Sequence, residues 1–138
     1  AQVVYNYDSN QPIVTVPLQL NINMDAYAGL SSTDEHGVTS TGGVDPSLDR
    51  LLAHEITHAV MAANINNFVK LPLFLAEGMA ELTSGTDDRL ALYTSLITDS
   101  DISKLVSVLK GSLSLTDTNF TSIIPYLAGY LALRYPSM

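Results

Sequence analysis

His54-Glu55-Ile56-Thr57-His58 sets two imidazoles four residues apart, with a carboxylate directly after the first. A helix turns 100° per residue, so four steps bring His58 to within about 40° of His54 and both rings project from one face. Glu55 flanks them. Two neutral imidazoles on one face suit a divalent zinc ion that keeps a position open for water. A carboxylate beside that water can take its proton during attack on a carbonyl. The H-E-x-x-H pattern encodes this division of labour. The competing reading is a polar helix face with two hydrated histidines. With only three histidines and four glutamates in the chain, a chance match is a rare event, well under about 1%.

The flanking residues supply the helix. Asp45 suits an N-cap and Pro46 the first helical position, whose N–H needs no partner, so a helix is expected from there to about Asn64, where Asn64, Asn66 and Asn67 end it. At 100° per residue, Leu48, Leu52, Ile56, Ala59, Val60 and Ala63 fill one arc, expected to be core, while His54, Glu55 and His58 occupy another. Pro72 opens a second helix running to about Ser84 and closed by Gly85. Glu77 and Glu81 share one face of it, opposite Leu75, Met79 and Leu82. Such a pair is most often a solvated acidic stripe. After a two-histidine site the alternative gains weight, because a carboxylate from a following helix would complete a His₂Glu set.

Around this pair the chain is simpler. Between Tyr5 and Met24, Ile13, Val14, Val16, Leu18, Leu20 and Ile22 suggest two short strands or one broken by Pro12 and Pro17. Asp25 to Gly43 has loop composition and holds His36, which reads as a solvated loop histidine ahead of a ligand. Thr86-Asp87-Asp88 caps a third helix (Arg89 to Thr98), Asp101 begins a fourth reaching Lys110, and Ile123 to Tyr135 forms a last one carrying Tyr126, Tyr130 and Tyr135. The expected class is α+β, a small N-terminal β part followed by a mainly helical body.

At 138 residues the chain is read as a single domain, 1–138. It opens on Ala1 rather than Met, which points to a processed protein or, preferably, a segment of a larger one. No apolar run approaches the ~18 residues needed for membrane insertion. Fourteen acidic against six basic residues give a net charge of −8, which disfavours nucleic acid as a partner. Without cysteine, a metal must be held by His, Asp or Glu.

Taken together, His54-Glu55-x-x-His58, eighteen intervening residues, and Glu77-Gly78-Met79-Ala80-Glu81 resemble the signature of the gluzincin metallopeptidases. The E-G-x-A-E form is similar to that of bacterial collagenase-type peptidases. Leu48 to Arg89 resembles the flagellinolysins, peptidases inserted in the surface-exposed region of some flagellins. The resemblance is strong over Asp45 to Arg89, weaker over Leu18 to Met24, and suggestive over Tyr126 to Tyr135. Metzincins are excluded, because Ala59-Val60-Met61-Ala62-Ala63-Asn64 carries neither their glycine nor their third histidine.

The resemblance implies a zincin-like catalytic domain with His54, His58 and Glu77 as zinc ligands and Glu55 as general base and proton shuttle. It implies for Glu81 a role beside the ligands, orienting a histidine (His54 by preference) or helping a calcium site. It implies a tyrosine or histidine donor for the developing oxyanion, for which Tyr126 is the first candidate and Tyr130 the second, each weighed against a core tyrosine. The implied function is a zinc-dependent endopeptidase acting on protein or peptide through a zinc-bound water activated by Glu55. The implied setting is extracellular or on a bacterial cell surface, within a filament such as the flagellum. The alternatives are a non-catalytic surface or filament module with a structural zinc site, and an aminopeptidase. The strand that gluzincins use to align substrate has only Val38 to Val44 to draw on here, short and glycine-containing.

Overall fold

A computed structural model describes residues 2–4, 19–27, 47–95, 98–110 and 123–136. Strands β1 (Gln2–Val4) and β2 (Gln19–Asn21) pair antiparallel, with Val3 opposite Leu20. A 3-10 turn follows at Met24–Tyr27. The body is helical: α1 (Leu48–Asn64), α2 (Leu73–Ser84), α3 (Leu90–Ser95), α4 (Asp99–Leu109) and α5 (Ile124–Arg134). The described residues are thus mostly helical with a small β part, as expected in outline. Of the expected strand region, β2 falls inside Tyr5 to Met24 and β1 lies ahead of it. His36, Val38 to Val44, Asp45 and Pro46 lie outside the described residues.

Helix α1 begins after Ser47, whose hydroxyl donates to Asp49 at 2.7 Å. Asp49 also accepts the Arg50 backbone N–H at 2.8 Å, and as an acid in the first turn it suits the positive end of the helix dipole. The helix ends at Ile65, and the chain reverses through Asn67 in the left-handed region and a 3-10 turn at Phe68–Lys70. That turn drives Phe68 and Val69 inward, where they form a core cluster with Ala62 and Ala76. Pro72 then starts α2, its carbonyl accepting from Leu75 and Ala76. Gly85 (φ +79°) closes α2 in the left-handed conformation that glycine adopts without penalty.

Helix α5 crosses α2 with the two backbones in contact. A Cβ built on Gly78 would stand 2.6 Å from both the Cα and the carbonyl oxygen of Gly129, and one on Gly129 would overlap the Phe74 carbonyl. Two glycines facing each other let the backbones touch. A second core cluster, Val108, Ile124 and Ala128 backed by Phe74 and Leu105, joins α4 to this crossing.

The burial of α1 reverses the expectation. Ile56 and Val60 are exposed, whereas His54, Glu55 and His58 are buried together with Ala62. Likewise Met79 is exposed while Glu77 and Glu81 are buried. The apolar arcs are not what join these helices. Their polar faces meet each other, because each imidazole finds a carboxylate across the interface.

Candidate metal centre

Helices α1 and α2 run antiparallel with one register. His58 faces Glu77, His54 faces Glu81, and Arg50 faces Gly85. A four-residue step on one helix is matched by a four-residue step on the other, so all these residues fall along a single seam. The seam exists because Arg50, His54 and His58 are spaced i, i+4, i+8.

At its centre three donor atoms form a nearly equilateral triangle. His54 Nε2 and His58 Nε2 each lie 3.2 Å from Glu77 Oε2 and 3.2 Å from one another. A tetrahedral zinc ion with ligands about 2.0 to 2.1 Å away separates its donors by about 3.3 to 3.4 Å, so the triangle fits such an ion closely. His54, His58 and Glu77 are all buried and together could hold a metal ion.

The far nitrogens of the two rings differ. His54 Nδ1 lies 2.9 Å from Glu81 Oε1, so in the neutral ring that a metal requires the proton stays on Nδ1 and the Nε2 lone pair faces the triangle. His58 Nδ1 is buried and has no partner among the described residues. The His58 ring is instead held edge-on to His54 and tilted against Phe68. On the other side of Glu81, the Thr86 hydroxyl donates to its Oε2 and lies 3.0 Å from its carbonyl oxygen.

Electrostatics follow from this crowding. Burial works against an imidazolium at His54, but hydrogen bonds and attraction from Glu77 and Glu81 outweigh it and raise its pKa to about 9. Burial likewise works against a carboxylate at Glu77, and the two histidines overcome it, lowering the pKa to about 2. The two carboxylates thus favour positive charge at this centre, met by an imidazolium at His54 when no metal is bound.

The other expected residues fall on either side of this centre. Glu55 is buried, one position along α1 from His54, and forms no hydrogen bond or ion pair among the described residues. Tyr126, on α5, stacks its ring on His54 with centroids 5.9 Å apart and planes at 29°. Tyr130 is buried one turn further along, and its hydroxyl donates to Asp87, which also pairs with Arg134 at 3.6 Å. Tyr126 is thus brought to the cluster and Tyr130 is not.

Two contributors were missed in the sequence. Arg50 donates through one guanidinium nitrogen to the carbonyls of Ser84 and Gly85, at 2.6 and 2.9 Å, capping the end of α2. Its spacing of four before His54 was the available signal. Thr86 reads in the sequence only as a helix cap, and its position five residues after Glu81 carries no motif.

No protein-family model, curated protein or solved structure matches the chain. The functional reading therefore stands on the centre itself. Among the described residues, no helix is long and apolar enough to cross a membrane.

Proposed function

We propose that the chain is a zinc-dependent endopeptidase of the gluzincin kind, in which His54, His58 and Glu77 hold the metal and Glu55 is the general base. The observation that carries this reading is the placement of Glu55. It is a carboxylate only 9% exposed, without a partner among the described residues, adjoining a buried three-donor cluster. A metal site that merely braced the fold would have no use for a carboxylate at this position.

Zinc, when bound by such a set, supplies Lewis acidity, polarising a carbonyl and making water acidic near neutral pH. Glu55 takes the proton of the attacking water and returns it to the amine nitrogen as the C–N bond breaks. Tyr126, lying along His54, is the candidate donor to the oxygen on which negative charge develops. Glu81 holds His54 in one tautomer and orientation. Both Glu81 oxygens are engaged, by His54 and by Thr86, which supports this role over that of a calcium ligand. Tyr130 serves the fold through Asp87. Following the flagellinolysin resemblance, the proposed setting is a bacterial surface filament, acting on protein or peptide substrates.

The test is digestion of a diverse peptide library by the zinc-loaded protein and its Glu55→Gln variant, read by mass spectrometry. Internal cuts by the parent, slowed by about 10²- to 10⁴-fold in the variant at equal zinc occupancy, are expected. Equal cutting by both would remove Glu55 from the chemistry.

A further inference from the structure

We propose that Thr86 is a positioning residue of the metal centre, holding Glu81 so that Glu81 in turn holds His54. The inference rests on reading the His54, His58 and Glu77 cluster as a metal site. Thr86 is fully buried, and its hydroxyl is within hydrogen-bonding reach of two acceptors, both on Glu81: the carboxylate Oε2 and the backbone carbonyl. It has one proton to give, and a carboxylate forms the stronger, charge-assisted bond. The opposite oxygen of that carboxylate meets His54 Nδ1 at 2.9 Å, and His54 Nε2 is a corner of the donor triangle. Hydroxyl, carboxylate, imidazole and donor nitrogen thus form one continuous chain.

The local fold explains why residue 86 can reach. Gly85 turns the backbone through φ +79°, and the next residue opens a 3-10 turn at Thr86–Arg89 that points back at the last turn of α2. Glu81 alone is a poor clamp. Its carboxyl torsion is broad, and anchors on both oxygens, His54 on one and Thr86 on the other, fix its plane. Threonine is stiff at χ1 because Cβ is branched, which makes it a better anchor than a freely rotating hydroxyl. Removing the anchor should loosen His54 without removing any ligand.

The experiment compares Thr86→Val, nearly the same shape without the hydroxyl, with Thr86→Ser, which keeps it. Zinc affinity is measured by competition with a chromophoric chelator, alongside the visible spectrum of the cobalt-substituted protein and thermal unfolding of metal-stripped samples. Thr86→Val is expected to weaken zinc about three- to tenfold, less than the roughly ten- to hundredfold typical of a direct ligand partner, and to shift the cobalt bands. Thr86→Ser should restore affinity to within about twofold. In a Glu81→Ala background Thr86→Val should cost no further affinity, since the two act in series. Unchanged zinc affinity and cobalt bands in Thr86→Val, with only the unfolding temperature lowered, would overturn the proposal and leave Thr86 a helix terminator. A full additional loss in the Glu81→Ala background would also overturn it. Failure of the parent itself to bind zinc or cobalt would instead refute the metal-site reading beneath it.

Discussion

Glycine in the middle of a helix costs about 1 kcal/mol relative to alanine, yet α2 carries Gly78 directly after Glu77. On helix propensity alone, Gly78→Ala should stabilise the protein. The structure predicts the opposite. The new methyl would stand 2.6 Å from the Cα and carbonyl oxygen of Gly129, 0.8 Å short of the 3.4 Å at which ordinary contact begins. These are backbone atoms and cannot rotate away, so α2 and α5 must part by about that distance along the crossing. Overpacking of this kind costs about 1 to 3 kcal/mol, and rigid neighbours put it at the upper end. After the propensity gain, the net loss is about 2 kcal/mol, or a fall of about 6 to 10 °C in Tm for a chain of this length.

Function separates this from a general weakening. The proposed ligands lie on α1 and α2, whereas Tyr126 rides on α5, so moving α5 should displace Tyr126 from His54 while sparing the donor triangle. A misplacement near 1 Å can cost about a hundredfold in rate, whereas zinc affinity should fall only a few-fold. Thermal unfolding, chelator competition and peptide cleavage on the same samples read the three quantities. Met79→Ala, at the neighbouring exposed position, is the control and should change Tm little. A Gly78→Ala protein as stable as the parent would refute the close crossing and the account of why glycine follows Glu77.

Further outcomes follow from the seam between α1 and α2. Glu77→Ala removes one corner of the triangle, and zinc should be lost on dialysis; full occupancy by atomic absorption would place the third ligand elsewhere. Arg50→Ala deletes both hydrogen bonds to the end of α2 and should cost about 2 kcal/mol in urea unfolding, since bonds from a charged donor contribute about 1.5 to 3 kcal/mol. Arg50→Lys should recover only part, because the ammonium lacks the guanidinium's fixed plane, which aims both N–H bonds of one nitrogen at the two carbonyls. Between pH 7 and 8 the metal-stripped protein holds a proton on His54, whose pKa is raised to about 9. Zinc must displace it, so affinity should weaken about tenfold per pH unit on acidification, and titration calorimetry in buffers of differing ionisation enthalpy should show about one proton released. Without metal, the stability due to the raised His54 pKa is complete below about 6.5 and is lost as pH rises through about 9. That due to the lowered Glu77 pKa is present above its ordinary 4.5 and is lost as pH falls through about 2. The metal-stripped protein should therefore unfold at its highest temperature between about pH 4.5 and 6.5, and a monotonic rise in Tm up to pH 9 would contradict the assigned contacts.

What could be read from the sequence was whatever repeats at the helical period. His54 and His58, Glu77 and Glu81 stand four apart, and that spacing alone predicted two faces. Gly85 announced the end of α2, and its φ of +79° is the reason a glycine is there. Which way the faces point was not legible. Ile56 and Val60 look like core by hydropathy and are exposed, because an amphipathic pattern identifies two sides without saying which neighbour each will meet. Tyr126 and Tyr130 share a helix and a residue type. Only the crossing of α5 over α2 decides that one reaches His54 and the other Asp87. Arg50 keeps the helical period four residues before His54, but nothing in that period says that its partners are backbone carbonyls, and Thr86, beyond Gly85 and five residues after Glu81, falls outside the period.

The seam also shows why stability and chemistry are divided between different interfaces. Four titratable groups, His54, His58, Glu77 and Glu81, are buried where α1 meets α2. Taking such groups out of water costs several kcal/mol each, and their mutual attraction repays this only when every partner is well placed. His58 Nδ1, buried without a partner among the described residues, shows that the repayment is incomplete. An interface of this kind is a poor source of stability, so the fold needs another. The Gly78–Gly129 crossing and the apolar cluster at Val108 supply it on the α5 side of α2, and the cluster at Phe68, which also backs the His58 ring, adds to it between α1 and α2. A single helix thus presents its acids to α1 and its glycine to α5. The E-G-x-A-E stretch reads in physical terms as proposed ligand, crossing point, exposed position, packed alanine and histidine clamp. Substitutions at Gly78 and Ala80 should act first on stability and those at Glu77 and Glu81 first on the metal, although all four lie within little more than one turn.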